Sequence, residues 1–350
     1  MRRAIRVAFI APLHPPASQD ETAPAAAAAA AAAGTLMTAT PPPGTRAWAT
    51  LLTRTNYLQG ALVLHQSLVE HGTRYPFVVF ATAELPQVAR DILRDRNIRV
   101  RDIEYLAPPD EQRKELNEHD RRFEDTWTKL RVFEMVEYER LVLLDSDMLC
   151  VRNMDELLEM PMEPDWVAAA HACTCNPRKL AHYPKDWIPE NCGHTQARFT
   201  VPLAHTAFTK PTHTRLNSGA VVLQPSLALF SRMLAFLHTD PRVPTYSFPD
   251  QDLLADFFEG RYLPLSYRYN ALKTLRYCHA EMWRDEDVKN VHFILKKPWY
   301  YQLPQDDPDY ETHAWWWAAF EKLQASWGDA PHWDVIEATV NRELRRPDQQ

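Results

Sequence analysis

The chain predicts an α/β fold with a mainly parallel, helix-covered sheet, and two patterns carry that expectation. From Ala47 to Ile103, apolar runs of strand length alternate with stretches of helical spacing. Strand, helix, strand, helix, strand is the signature of parallel strands joined by crossover helices. Further along, Leu141–Leu144 is a run of four branched aliphatic residues, as expected of a strand buried on both faces. A third observation limits what such a sheet can bind. Glycine is scarce, with 8 residues in 350, and none lies in GxGxxG or GxxxxGK[ST]. The dinucleotide fingerprint and the P-loop are therefore excluded as ways of cradling phosphate.

Taken in order, residues 1–46 read as a disordered, low-complexity N-terminus. Ala25–Ala33 is unbroken alanine between Pro24 and Pro41–Pro43; its helix propensity is high, but it has no face to pack. A strand is expected at Ala47–Thr53. Asn56 then reads as a helix cap ahead of Leu58, Leu62, His65 and Val69, which recur at helical spacing. Pro76–Ala81 reads as a strand, Pro86–Arg96 as a helix with proline in its first turn, and Arg99–Ile103 as a strand. Pro108–Asp120 is a charged connection, and a helix over Glu124–Tyr138 leads into the central strand. Asp155–Met160 suits a helical turn and Trp166–Ala170 a strand. No periodicity is visible from His171 to Arg215, which is long for a loop. A strand at Ala220–Leu223, helices at Ser226–Leu237 and Gln251–Phe258, and a strand at Val288–Ile294 follow. Trp315–Trp317 and a helix over Trp333–Leu344 occupy the tail. This divides the chain into 1–46, a domain over 47–305 with an irregular insertion at 171–215, and a helical tail over 306–350.

A net charge of -7 and a pI near 6.1 argue against a nucleic-acid-binding face. An acidic protein that holds phosphate needs a metal, lysines or helix N-termini. There is no run of 18 apolar residues, so no membrane span is expected. Five cysteines, an odd number, do not make a secreted disulfide framework. Arg6 interrupts the short apolar stretch after the basic start, which makes a poor signal peptide. A cytoplasmic protein is expected.

The central strand ends in Asp145-Ser146-Asp147. Residues i and i+2 of a strand share a side, so Asp145 and Asp147 can converge on one hard divalent cation; a solvated turn is the plain alternative. Lys129 projects from the packed side of the preceding helix, either covering apolar surface with its stem or aiming a cation at a ligand at the sheet's carboxyl edge. Asn217-Ser218-Gly219 is either a turn or the source of an amide for a polyhydroxylated substrate. Asp250-Gln251-Asp252 opens a helix behind Pro249, and Asp250 suits an N-cap without excluding a substrate contact. His292 lies in a strand with Lys296 and Lys297 just beyond, so it can complete a metal shell while a lysine neutralises phosphate. His171, Cys173, Cys175, Cys192 and His194 have ligand types suited to zinc. Their spacing matches no common zinc module, and a packed loop with free thiols is the plain alternative.

Five ordered segments carry a family resemblance: LLTRTNYLQGALVLHQSL, TKLRVFEMVEYERLVLLDSDMLCVRNMDELL, LNSGAVVLQP, FPDQDLLADFF and VHFILKKPW. Over about Ala47 to Tyr300 the chain resembles glycosyltransferase family 8, the glycogenin and galactinol synthase group. The resemblance implies a GT-A fold, a Rossmann-like nucleotide-binding sheet with an acceptor region. It implies a retaining, manganese-dependent transfer of glucose or galactose from a UDP-sugar to a hydroxyl acceptor such as a polyol, a glycan or a protein tyrosine. By position it implies that Asp145, Asp147 and His292 bind Mn2+, and that Leu51, Thr53 and Tyr57 line the uracil and ribose pocket. Lys129 would contact the donor and Lys297 its diphosphate. Asn217, Asp250 and Gln251 would hold the transferred sugar, with Asp250 nearest the reacting centre.

The segment FILK between His292 and Lys297 is shorter and bulkier than in glycogenin, which leaves Lys296 as an alternative to Lys297. The cysteine-rich stretch after Ala170 is more like galactinol synthase than glycogenin. Tyr277 falls near glycogenin's self-glucosylated tyrosine, but Tyr267 and Tyr269 are also close and self-glucosylation is not inferred. A homodimer is left open. No nucleophile stands out, so front-face attack by the acceptor hydroxyl is expected ahead of a covalent adduct on Asp250. Two rival readings remain. LLDSDML approximates the haloacid dehalogenase-like phosphatase pattern with Asp145 as nucleophile, and a non-catalytic UDP-sugar-binding scaffold would use the same pocket.

Overall fold

The computed structural model describes residues 40–112, 125–197, 204 and 208–345. Most of the expected low-complexity N-terminus, much of the 108–120 connection and parts of 171–215 lie outside the described residues. The strands are β1 (Arg46–Leu52), β2 (Phe77–Ala81), β3 (Arg99–Asp102), β4 (Arg140–Leu144), β5 (Met148–Cys150), β6 (Val167–His171), β7 (Leu216–Leu223), β8 (Tyr262–Leu265), β9 (Ala271–Leu272) and β10 (Asn290–His292). The helices are α1 (Leu58–Glu70), α2 (Gln87–Asp95), α3 (Glu156–Glu159), α4 (Gly193–Gln196), α5 (Leu227–Thr239), α6 (Pro249–Phe257), α7 (Leu275–Cys278), α8 (Tyr310–Trp327) and α9 (Trp333–Glu337).

One sheet has the order β3-β2-β1-β4-β7-β6-β8, and a second has β5-β10-β9. In the large sheet every pairing is parallel except the two made by β7, which runs against β4 and β6. The expected mixed, mainly parallel sheet is therefore present. Its centre is β4, where all five residues are buried, consistent with layers packed on both faces. Trp48, Leu62, Val142, Leu144 and Trp316 belong to one core cluster, and Ala49, Leu141, Leu143, Phe133 and Met233 to the other. Alternation along β4 thus feeds both faces. Each buried aliphatic side chain contributes about 1.5–3 kcal/mol, so the strand is strongly held in register.

Four local expectations are corrected. The helix expected over Glu124–Tyr138 is a run of 3₁₀ turns at Thr126–Glu134. Thr126, Thr128, Val132 and two aromatics lower its α-propensity, and the Phe133 carbonyl is taken by the Ser226 N–H at 2.7 Å. Asn217-Ser218-Gly219 is strand rather than turn, because β7 begins at Leu216 and keeps pairing to the end of β4, where the Asp145 N–H donates to the Gly219 carbonyl at 2.8 Å. The last helix ends at Glu337 instead of Leu344, since the chain beyond turns back and bridges Gln302 to Leu344. Asp250 is not the N-cap of α6; Phe248 holds that position, and the Asp252 carboxylate takes the Ser247 and Phe248 N–H groups at 2.9 Å.

Candidate active site

Asp145-Ser146-Asp147 joins β4 to β5, so the triplet leaves the large sheet and enters the small one within three residues. Ser146 is buried, 2.9 Å from the Thr50 hydroxyl, and donates to the Leu51 carbonyl at 3.2 Å, which ties the turn to the end of β1. Helix α1 passes close above it. A Cβ on Gly60 would lie 2.3 Å from the Ser146 carbonyl oxygen, so glycine is required there by close approach rather than by backbone angle.

β10 pairs antiparallel with β5, placing His292 opposite Met148, and the Phe293 N–H donates to the Asp147 carbonyl at 2.9 Å. That register brings the His292 ring to the carboxylates, with Nε2 3.7 Å from Asp145 Oδ2 and 3.4 Å from Asp147 Oδ1. One ligand atom from each of Asp145, Asp147 and His292 lies within 4.8 Å of the others. His292 Nδ1 is 2.9 Å from Asn270 Oδ1, and the Asn270 amide in turn donates to Asn217 Oδ1 at 2.7 Å. The second bond orients the Asn270 amide so that its oxygen faces histidine, which fixes a proton on Nδ1 and makes Nε2 the ring atom that faces the carboxylates. This is how a metal-binding imidazole is prepared by an outer partner. Two carboxylates and one such nitrogen fit a divalent cation.

Two lysines complete the electrostatics. Lys129 Nζ lies 2.7 Å from Asp145 and 3.1 Å from Asp250. Burial opposes its charge, but Asp145 and Asp250 outweigh burial and hold Lys129 well above its ordinary pKa. Lys297 Nζ forms an ion pair with Asp147 and donates to the Phe293 carbonyl at 3.0 Å. Burial would push Asp147 up, yet Lys297 and His292 keep its carboxyl well below the usual range. Three carboxylates faced by two ammonium groups leave room for additional positive charge and for a polyanion beside it.

The structure brings the remaining expected residues to the same edge. Leu51, one residue before the end of β1, meets Ser146 through its carbonyl, and the Thr53 hydroxyl donates to Asp125 at 3.0 Å. The Tyr57 ring stands edge-on to Trp299 at 5.6 Å, with Lys297 Nζ 5.9 Å from its centroid. The Asn217 amide donates to Gln251 Oε1 at 2.9 Å, so Asn217, Gln251 and Asn270 form one chain of amides next to Asp250. Of the two candidate lysines, it is Lys297 that faces Asp147. Sequence reasoning missed Asn270, which no local pattern marks. It also missed Gly60 and the role of Gly219, where a Cβ would stand 2.3 Å from His292 Cε1. A glycine inside a helix costs about 1 kcal/mol relative to alanine, and that cost was the available signal at Gly60.

Residues 49–302 match the family described as Glycosyl transferase family 8. Galactinol synthase 1 of Solanum lycopersicum is 30% identical over 279 residues, which cover 77% of this chain and 80% of that protein. Among solved structures, the galactosyltransferase LgtC in complex with donor and acceptor sugar analogs superposes with a TM-score of 0.52 at 17% identity, covering 83% of this chain and 99% of that one. The bifunctional glycosyltransferase WbbM in its apo form gives a TM-score of 0.54 at 14% identity over 85% of this chain, which spans 52% of WbbM. At such identities these structures speak for the fold alone, and the fold they share with this chain is GT-A. No helix among the described residues is long and apolar enough to cross a membrane.

Proposed function

The chain belongs to glycosyl transferase family 8, and from that premise we propose that this glycosyltransferase moves glucose or galactose from a UDP-sugar to a hydroxyl acceptor with retention, using Mn2+ or a similar divalent cation at Asp145, Asp147 and His292. The observation that carries the proposal is the His292 ring, whose Nε2 is freed toward two carboxylates by the Asn270–Asn217 relay. A hard divalent cation there would neutralise the diphosphate and stabilise the charge that develops as UDP departs. Lys297, paired with Asp147, would turn its ammonium onto the same phosphates. Leu51, Thr53 and Tyr57 would line the nucleoside at the end of β1.

On the sugar side, Asn217 and Gln251 present amides suited to hydroxyl groups. Asp250 faces Lys129 at 3.1 Å, and that ion pair reduces its nucleophilicity. The pairing favours front-face attack by the acceptor hydroxyl over a glycosyl-enzyme on Asp250. The phosphatase reading gives no part to His292, Asn217 or Asp250, which gather around Asp145.

A donor screen reading UDP release from UDP-glucose and UDP-galactose, with and without manganese and with inositol or glucan acceptors, tests the proposal. Metal-dependent release that rises with acceptor is expected. Phosphate release from p-nitrophenyl phosphate with no UDP release would refute it. Failure of UDP plus manganese to raise the melting temperature would remove the donor site.

A further inference from the structure

Four of the five cysteines meet at one place outside the carboxylate site. Cys173 and Cys175 follow β6, Cys192 precedes α4, and Cys278 ends the single turn α7 with His279 next to it. Cys173 Sγ lies 3.8 Å from Cys278 Sγ. His279 Nε2 sits 3.2 Å from Cys175, 3.5 Å from Cys192 and 3.6 Å from Cys173. His171 and His194, which the sequence groups with these thiols, turn elsewhere. His194 Nε2 bonds the His171 carbonyl at 2.9 Å, and His171 Nδ1 faces the Tyr262 hydroxyl at 2.8 Å. Cys278 and His279 stand in their place.

We propose that Cys173, Cys175, Cys278 and His279 hold a structural zinc ion, with Cys192 as a fifth thiol packed against the same ring. All four ligand atoms lie within 4.8 Å of one another. With Zn–S near 2.3 Å and Zn–N near 2.0–2.1 Å, a tetrahedral site has S···S edges of about 3.8 Å and S···N edges of about 3.6 Å. The observed separations of 3.8, 3.6 and 3.2 Å have that scale. They are far from the 2.05 Å or so of a disulfide, and all five cysteines are free. Three thiolates and an imidazole are soft ligands that suit zinc and not the hard cation of the carboxylate site. Binding would release the thiol protons and offset the cost of gathering ligands from segments about a hundred residues apart.

The ion would fix the 172–197 segment against the α7 turn. That segment carries Trp187, which stacks on Phe248 at 4.9 Å, and Tyr183, edge-on to both rings. Phe248 is the N-cap of α6, just ahead of Asp250 and Gln251. A soft-metal staple thereby holds one wall beside the proposed sugar-binding residues. This consequence rests on the glycosyl-transfer reading, whereas the zinc site does not.

The test is to purify the full chain without chelators, measure its zinc by plasma emission spectroscopy, and titrate its thiols as the metal is withdrawn. Stoichiometric zinc is expected, with the cluster thiols reacting only as zinc leaves, and Cys175→Ser is expected to lose the metal. Because that variant can fail to fold, the wild-type chain is also loaded with cobalt. A thiolate-to-cobalt charge-transfer band with tetrahedral d–d bands is expected. Folded protein without metal and with freely reactive thiols, a disulfide within the cluster, or a cobalt spectrum without the thiolate band would overturn the site. Zinc withdrawal is expected to raise the acceptor KM several-fold while leaving the donor KM unchanged. Zinc that binds as described in a protein that transfers from no donor would count against the transfer reading and not against the site.

Discussion

Asp145, Asp147 and His292 come off strand ends, whereas Cys173, Cys175, Cys278 and His279 come off loops and a one-turn helix. The first group is fixed by ladder hydrogen bonds. β4 holds Asp145 to Gly219, and β10 holds Phe293 to Asp147, so these side chains are kept in place by backbone pairing. The second group has little regular structure to support it, and α4 and α7 are four residues each. Its geometry would depend on the ion it holds. The donor set differs in the same sense, hard oxygen and imidazole in one and soft thiolate in the other. A site that must release its polyanionic product profits from a rigid frame and an exchangeable cation. A staple profits from tight, slow ligation.

The largest expected effect that separates the two comes from Asp147→Asn. It removes one proposed ligand and the partner of the buried Lys297, and turnover should fall by about 10³-fold while the metal content of the thiol site stays at the wild-type level. Retained activity would remove the metal assignment. Gly219→Ala is next, because its Cβ would meet His292 Cε1 at 2.3 Å and the ring must move. Loss of manganese affinity by about 100-fold, read by activation kinetics, is expected with the thiol site untouched. Asn270→Ala deprives His292 Nδ1 of its acceptor and leaves Asn217 short of a partner. Metal affinity should fall about tenfold and stability by about 1–3 kcal/mol, read by urea unfolding. Loss of stability without loss of metal affinity would show that the relay is structural only.

Trp187→Ala probes the other region. It removes the stack on Phe248, and the acceptor KM should rise by about tenfold or less, with a loss of about 1 kcal/mol from the aromatic pair. A change in donor KM instead would break the division between the two halves. The smallest effect on either site comes from a pH control outside both. Burial depresses His65 to about 4, so the folded state resists a proton that the unfolded chain takes near 6.5. The favourable contribution is full above pH 6.5 and is lost as pH falls through 4, by at most about 3 kcal/mol. In His65→Gln the acid limb of the stability curve should flatten between those values, with metal content unchanged.

The Asp-Ser-Asp triplet was legible because it closes a four-residue aliphatic run, and β1 to β3 with α1 and α2 were legible because their periods of 2 and 3.6 are local. The family resemblance added roles for His292, Lys129, Lys297, Asn217, Asp250 and Gln251, and the structure brings all of them to the edge that carries the triplet. Asn270 was not legible. Its importance lies in meeting His292 and Asn217, 22 and 53 residues away, and nothing in its own neighbourhood announces those partners. The same holds for Cys278, 105 residues from Cys173. Cys-x-Cys with the later Cys192 suggested soft-metal ligands, but the nearby histidines were the natural completions on paper.

By itself, then, the sequence determined the alternation that builds the sheet, the pair of carboxylates at its centre and the supply of thiols after β6. Only the tertiary structure decided that β7 runs against its neighbours, that β10 docks on β5 in the register that turns His292 toward Asp147, and that α7 delivers Cys278 and His279 to the thiols. The reason is that periodicity is written residue by residue along a segment, while strand register and loop docking follow from packing summed over distant parts of the chain.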